Sequence, residues 1–292
     1  MSTQSHVYRQ CTLAILAATL ILSSTRPAAA QLGLSLAPMR VELRMMPGQQ
    51  YSGSLQLTSN SDAKTRIRAE ILDFDIDAST TPQFERDLPQ ESAYSCKKWL
   101  SVNPMEIEVE PSGVLPVRYT LRLPAAVPEG SYNCAAGFTT LPKADQVVGT
   151  GMQVAVRVVA AFYVVVGSPQ IRGRLKEISL EPAPAGSNSN AQAGWQAVVV
   201  LENLGQMYFR PTGNFEVLDA EDKVVETAEF KSLPVLRERS QRFLFPLKAH
   251  LEAGQYKLRA KVDIGSDEIQ EGSVEVTVDP AQARPEPQRA QN

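Results

Sequence analysis

The sequence predicts an all-β protein of two tandem β-sandwiches, and three observations predict it. Short runs of alternating apolar and polar residues recur from Gln31 to Val278, punctuated by Pro, Gly and Asn, which is the pattern of half-buried strands joined by turns. No convincing amphipathic helix interrupts them. A repeat is also present: residues 118–132 (RYTLRLPAAVPEGSY) align without gaps on residues 242–256 (RFLFPLKAHLEAGQY), an offset of 124. Leu121 and Leu123 match Phe245 and Leu247, and Gly130-x-Tyr132 matches Gly254-x-Tyr256. Each copy reads as a strand, a corner closed by Gly, then a strand with Tyr near its start. Immunoglobulin-like sandwiches place a tyrosine at this corner, its hydroxyl bonded back to the backbone. The reading is two tandem immunoglobulin-like β-sandwich domains, at 31–168 and 169–280.

The N-terminus, 1–30, reads as a secretory signal peptide. Arg9 supplies the positive region, 12–22 the apolar run, and Ala28-Ala29-Ala30 the small-residue cleavage site, so the mature chain is expected to begin at Gln31. Cys11 precedes the apolar run and leaves with it. No later segment reaches transmembrane length, so no membrane insertion is expected. The net charge of −3 is mixed along the 292 residues, and no basic stripe points to nucleic acid. Two cysteines remain, Cys96 and Cys134; in an oxidising compartment an even count reads as one disulfide, with two free thiols as the alternative.

In chain order, 34–43 is a first strand and 51–58 a second, with Tyr51, Gly53, Leu55 and Leu57 on one face. Residues 65–76 form a third, whose apolar phase runs Ile67, Ala69, Ile71 and then slips to Leu72, Phe74, Ile76. Such a slip predicts a β-bulge or a change of sheet near Ile71. Residues 78–96 are a polar surface connection, and 99–109 and 114–123 are strands. After the corner at 124–130 comes a strand through Tyr132, Cys134, Ala136 and Phe138, then a loop over 141–151. Ser168-Pro169 marks a hinge. Strands resume at Ile171 and recur around Trp195–Leu201, Phe215–Val217, 224–225, Phe243–Leu247, Tyr256–Ile264 and Val274–Val278, with a loop at 182–190. The tail, 281–292, is proline-rich and polar and is expected to be disordered.

Residues 154–166 (VAVRVVAAFYVVV) break the alternation. One face is Val154, Val156, Val158, Ala160, Phe162 and Val164; the other is Ala155, Val159, Ala161, Tyr163 and Val165, with Arg157 as the sole charge. A strand apolar on both faces needs cover on both. That cover is either a second layer of the same protein or a partner.

Chemistry finds little purchase in the residues. Beyond the signal, the sole histidine is His250 in a corner turn, so neither a zinc site nor a Ser-His-Asp triad assembles in the usual way. No phosphate-cradling glycine loop or nucleophile elbow is present. Asp73, Asp75 and Asp77 share a strand face, but a calcium loop begun at Asp73 would place Ala78 at its glycine and Phe84 at its closing glutamate. The solvated outer face of a strand is the better reading. No metal, cofactor or enzymatic activity is expected. Trp99 and Trp195 sit in strand patterns and read as core rather than as a carbohydrate platform.

On these residues the chain resembles the periplasmic pilus-assembly chaperones of the PapD type. Leu36-Ala37-Pro38-Met39-Arg40-Val41 is similar to the family's opening strand, whose arginine anchors the subunit's C-terminal carboxylate in the interdomain cleft; Arg40 sits at that position. Residues 154–164 are similar to the strand of alternating hydrophobics that the family lends to an incomplete pilin fold, a form of β-augmentation. The resemblance implies a periplasmic chaperone with pilin-like secreted subunits as partners and brings an outer-membrane usher into view as another. It implies a donor strand of Val154, Val156, Val158, Ala160, Phe162 and Val164, and a carboxylate anchor of Arg40 with Arg157, a guanidinium in place of the family's lysine. The other reading of the same residues is a structural or adhesive cell-envelope module, its apolar strand covered by its own second domain.

Overall fold

The structure, a computed structural model, describes residues 33–77, 80–85, 93–141, 154–183 and 194–279. The expected signal segment at 1–30, the tail at 281–292 and most of the 141–151 and 182–190 loops lie outside the described residues.

Among the described residues ten strands build the first sandwich: β1 (Leu34–Ala37), β2 (Arg40–Met45), β3 (Gln50–Ser59), β4 (Thr65–Ile76), β5 (Pro82–Glu85), β6 (Leu100–Asn103), β7 (Glu106–Val109), β8 (Val114–Arg122), β9 (Gly130–Thr140) and β10 (Arg157–Val166). One sheet has the order β1-β3-β8-β6; the other runs β2-β10-β9-β4-β5, with β7 also paired to β4. The second sandwich comprises β11 (Gly173–Pro182), β12 (Trp195–Asn203), β13 (Thr212–Leu218), β14 (Val224–Glu229), β15 (Ser240–Pro246), β16 (Gly254–Asp263) and β17 (Gln270–Val278), in sheets β11-β12-β15 and β14-β13-β16-β17.

Two stretches read as continuous strands are each split at a proline. The chain leaves the first sheet after β1, turns at the cis Ala37–Pro38 bond and joins the other sheet as β2. It makes the same change between β6 and β7 at the cis Asn103–Pro104 bond. Proline has no N–H to continue a ladder, so a strand reaching one either stops or sits at an edge. The internal repeat corresponds to one event made twice, since β8 to β9 and β15 to β16 each carry the chain from one sheet of a sandwich to the other. In the first copy the Tyr132 hydroxyl donates to the Pro128 carbonyl at 2.9 Å, closing the corner. In the second, Tyr256 instead packs half-buried against the core. Gly130 is required twice over: its φ is +146°, and a Cβ there would lie 2.2 Å from Arg237 Nη1.

Each sandwich closes on its own core, the first around Leu55, Leu57, Val117, Phe138 and Phe162, the second around Phe215, Phe243, Phe245 and Leu258. A third cluster lies between the sandwiches, where Leu72, Phe74, Ala135, Tyr163 and Val165 meet Tyr208 and Leu236. Main chain reinforces this junction: Ser131 N–H donates to the Gln206 carbonyl at 2.7 Å, and Tyr208 N–H donates to Ser131 Oγ at 2.9 Å. Arg239 pairs with Asp75 at 3.2 Å, and the Arg237 guanidinium lies 3.9 Å from the centre of the Tyr94 ring.

The third cluster corrects the reading of β4. Its register with β9 runs unbroken from Ile67 to Leu72, so no bulge stands at Ile71. Ile67, Ala69 and Ile71 face the first core, whereas Leu72, Phe74 and Ile76 face the opposite way. The apolar phase slips because the cover changes side. The three aspartates on the remaining face are accordingly not a solvated row. Asp73 is 4% exposed, accepts the Ser95 hydroxyl and lies 3.4 Å from Lys97 Nζ; Asp77 accepts Thr81 N–H at 3.0 Å. Among the described residues no group of three His, Cys, Asp or Glu side chains is placed to hold a metal.

Cys96 and Cys134 form a disulfide that ties the short 3-10 turn Lys97–Trp99 to β9. Trp99 belongs to that turn rather than to a strand, and it packs on Tyr132 with ring centres 4.6 Å apart. The bridge closes a separation of 38 residues, for which chain entropy gives roughly 4 kcal/mol. The Cys96→Ala/Cys134→Ala variant is expected to lose most of that in urea unfolding at neutral pH, with the same loss in the wild type after reduction.

Candidate functional site

Strand β10 is paired unequally on its two sides. Against β9 it is antiparallel along its whole length, from Arg157 opposite Thr139 to Val166 opposite Gly130. Against β2 it is parallel from Ala161, opposite Arg40, to Val166, opposite Met45. The last main-chain bond on that side runs from Ala161 N–H to the Met39 carbonyl at 2.9 Å. At Pro38 the chain has already turned away towards the other sheet.

Backbone groups in a strand point to alternate sides, so this asymmetry has a definite consequence. Val156 exchanges bonds with Thr140, its carbonyl accepting Thr140 N–H and its N–H reaching Thr140 Oγ1, both at 2.9 Å. The even-numbered residues of β10 therefore face β9, and the odd-numbered ones face the β2 side. Beyond Ala161, the N–H and C=O groups of Arg157 and Val159 have no strand beside them among the described residues. This is an open sheet edge, about four residues or roughly 13 Å long.

Side chains at this end change from buried to available. Ala160, Phe162 and Val164 are 0% exposed in the core of their own sandwich. Their removal to fill a partner would unfold it, so of the six expected donor residues these three are structural. Val156 and Val158 are half-buried at the rim of that core, and Val154 is 54% exposed. On the opposite face, Tyr163 and Val165 are covered by the second sandwich, as the structural-module reading expects.

Arg40 and Arg157 do not converge. The Arg157 side chain leans across β9, with Nε donating to Thr139 Oγ1 at 3.2 Å and Nη2 3.9 Å from Glu70 Oε2 on β4. Arg40 stands on the other side of β10, four positions further along. A strand's neighbours on either hand lie nearly 5 Å away in opposite directions, so the two guanidiniums cannot grip one carboxylate.

The second cation beside Arg40 is Arg210, from the second sandwich, and nothing in its sequence setting (MYFRPTG) distinguished it. Arg40 Nε and Arg210 Nε each lie 3.4 Å from the same Glu42 oxygen. Arg210 also donates through Nη1 to the Ser232 carbonyl at 2.9 Å, and its guanidinium sits 4.9 Å from the Tyr163 ring centre and 5.9 Å from that of Tyr208. Burial raises the Tyr163 phenol, against the pull of Arg210. Burial, and then the Glu42 carboxylate beside it, push the Tyr208 phenol up to about 12.

No protein-family profile matches the sequence, and no curated protein matches it significantly. Solved structures match it at low identity. The class 5 fimbriae chaperone CfaA is 13% identical, with 83% of this chain covering 98% of that one at a TM-score of 0.42. The chaperone–tip adhesion subunit complex CsuC–CsuE of the Csu pili of Acinetobacter baumannii is 11% identical, with 83% covering 97% at 0.41. A PapD-like domain of human CEP192 is 11% identical and matches 49% of this chain, covering 91% of that one, at 0.33.

The Tyr208 environment sets a pH dependence. A phenol whose folded value lies above its unfolded value near 10 contributes stability that is full below about pH 10 and lost as the pH rises towards 12. Urea unfolding at about pH 9 and about pH 11 should show a smaller alkaline loss in Tyr208→Phe than in the wild type.

Proposed function

We propose that this protein is an exported, periplasmic chaperone that captures pilus or fimbrial subunits by offering the open edge of β10 to an incomplete subunit fold. The observation that carries the reading is the pairing of β10, which among the described residues has no strand beside the outward backbone groups of Arg157 and Val159, while Val154, Val156 and Val158 stand at or beyond the rim of the core. A subunit lacking a strand exposes an apolar groove and an unpaired edge, a template for aggregation. Main-chain bonds to a lent strand satisfy that edge, while alternate side chains fill the groove.

The geometry also supports the role of Arg40. A partner strand on the open edge lies in line with β2 and must stop where β2 begins. Arg40 is the first residue of β2. A chain terminus arriving there brings its carboxylate to a half-exposed guanidinium, a charge-assisted contact that fixes register. Through subunit handover an outer-membrane usher would be the next partner.

A second reading has one observation in its favour. The second sandwich covers Tyr163 and Val165, so much of the two-sided apolarity of β10 needs no partner, and a structural or adhesive envelope module would use the same contact.

Two variants separate these readings. Val159→Pro deletes an N–H on the open side and leaves the ladder to β9 intact, a placement in which an edge strand tolerates proline. It and Arg40→Ala are each expected to fold normally and to reduce co-purification of a small β-rich secreted subunit by about tenfold or more. The check is a pull-down of the tagged mature protein from its own periplasm, read by mass spectrometry. Undiminished capture by both folded variants contradicts the chaperone reading.

A further inference from the structure

The cluster at the junction of the sandwiches holds two cations around one anion. Arg40 and Glu42 come from β2; Arg210 comes from the second sandwich. Glu42 stands opposite Tyr163 in the register of β2 and β10, so all of these groups lie on the face of the sheet turned to the second sandwich. Arg210 is 17% exposed, and its Nε is buried without a hydrogen-bond partner although Glu42 Oε1 lies 3.4 Å away. Glu42 itself is 43% exposed and Arg40 53% exposed, so this carboxylate is held loosely at the mouth of the cluster, able to turn out to water.

We propose that Glu42 is a resident counter-ion, occupying in the free protein the place between Arg40 and Arg210 that a partner's terminal carboxylate takes on binding. Arg40 and Arg210 then act as one two-cation site for a carboxylate, contributed by both sandwiches. The site deepens the capture reading, which it needs for the identity of its ligand but not for its existence. An incoming carboxylate must displace Glu42 or lie beside it, and either event weakens binding relative to a site with no resident charge. Arg210 supplies the donor that Glu42 leaves unused. Tyr163 and Tyr208 wall the site and keep the guanidinium from swinging away.

The probe is acetate, titrated into the full mature chain at constant ionic strength with chloride as the balancing anion. The readout is the pair of arginine Nε–H signals in nuclear magnetic resonance, assigned with Arg40→Lys and Arg210→Lys. In the wild type both signals should move together with a single weak affinity. Glu42→Gln, which keeps the size of the side chain and removes its charge, should tighten that affinity by about three- to tenfold, as expected for removing one like charge at this range in a partly solvated site. Arg210→Lys should weaken acetate binding and reduce the response at Arg40. Absence of an acetate response at either arginine, different affinities at the two, or unchanged or weaker binding in Glu42→Gln overturns the proposal. A chain that meets these expectations yet captures no subunit keeps the carboxylate site and loses the chaperone reading.

Discussion

Everything in this structure depends on how β10 satisfies a backbone and two apolar faces at once. Its inner face closes the first core through Ala160, Phe162 and Val164, and its outer face carries Tyr163 and Val165 into the junction with the second sandwich. Burying one such large side chain stabilises a fold by about 1.5–3 kcal/mol, so this strand is a main source of cohesion within and between the sandwiches. The same strand is left half-edged by a single event, the departure of the chain at Pro38 towards the other sheet. A long apolar edge is normally blunted by charge, a bulge or cover. Along β4 and β7 that practice is visible, where Lys64, Arg66 and Arg68 face Glu106, Glu108 and Glu110 in a ladder of ion pairs. No comparable ladder stands along the free side of β10 among the described residues.

Electrostatics and packing meet where the edge ends. Arg40 opens β2 next to the last paired residue of β10, and the second sandwich delivers Arg210 to the same spot. The junction is held by main chain through Ser131 and Gln206, by the tilted ring contact of Tyr163 with Tyr208, and by the buried apolar cluster. These contacts bring both cations to the end of the strand edge.

Much of this was legible in the residues. Strand alternation located most elements, the bounds of β4 among them, and the repeat around Tyr132 identified a corner that the structure closes with a hydrogen bond to Pro128. The even cysteine count pointed to the Cys96–Cys134 bridge. What sequence could not supply was long-range cover. The phase slip at Ile71 and the buried Asp73 both follow from which layer lies over each face, and no local pattern encodes that. The resemblance pairs Arg157 with Arg40, but Arg157 belongs to β10 itself and its side chain leans over β9, whereas Arg40 stands on β2, on the other side of β10. Arg210 was silent for the same reason, since its partner Glu42 is far away in the chain.

The most direct test of the central claim is amide hydrogen exchange along β10, residue by residue, in the free protein and bound to its captured subunit. An open edge predicts fast exchange at Arg157 and Val159 in the free protein, slow exchange at Val158 and Ala160, whose amides face β9, and protection of Arg157 and Val159 on capture. Slow exchange at Val159 in the free protein would show that the edge is already covered. Fast exchange there in the complex would show that the partner binds elsewhere.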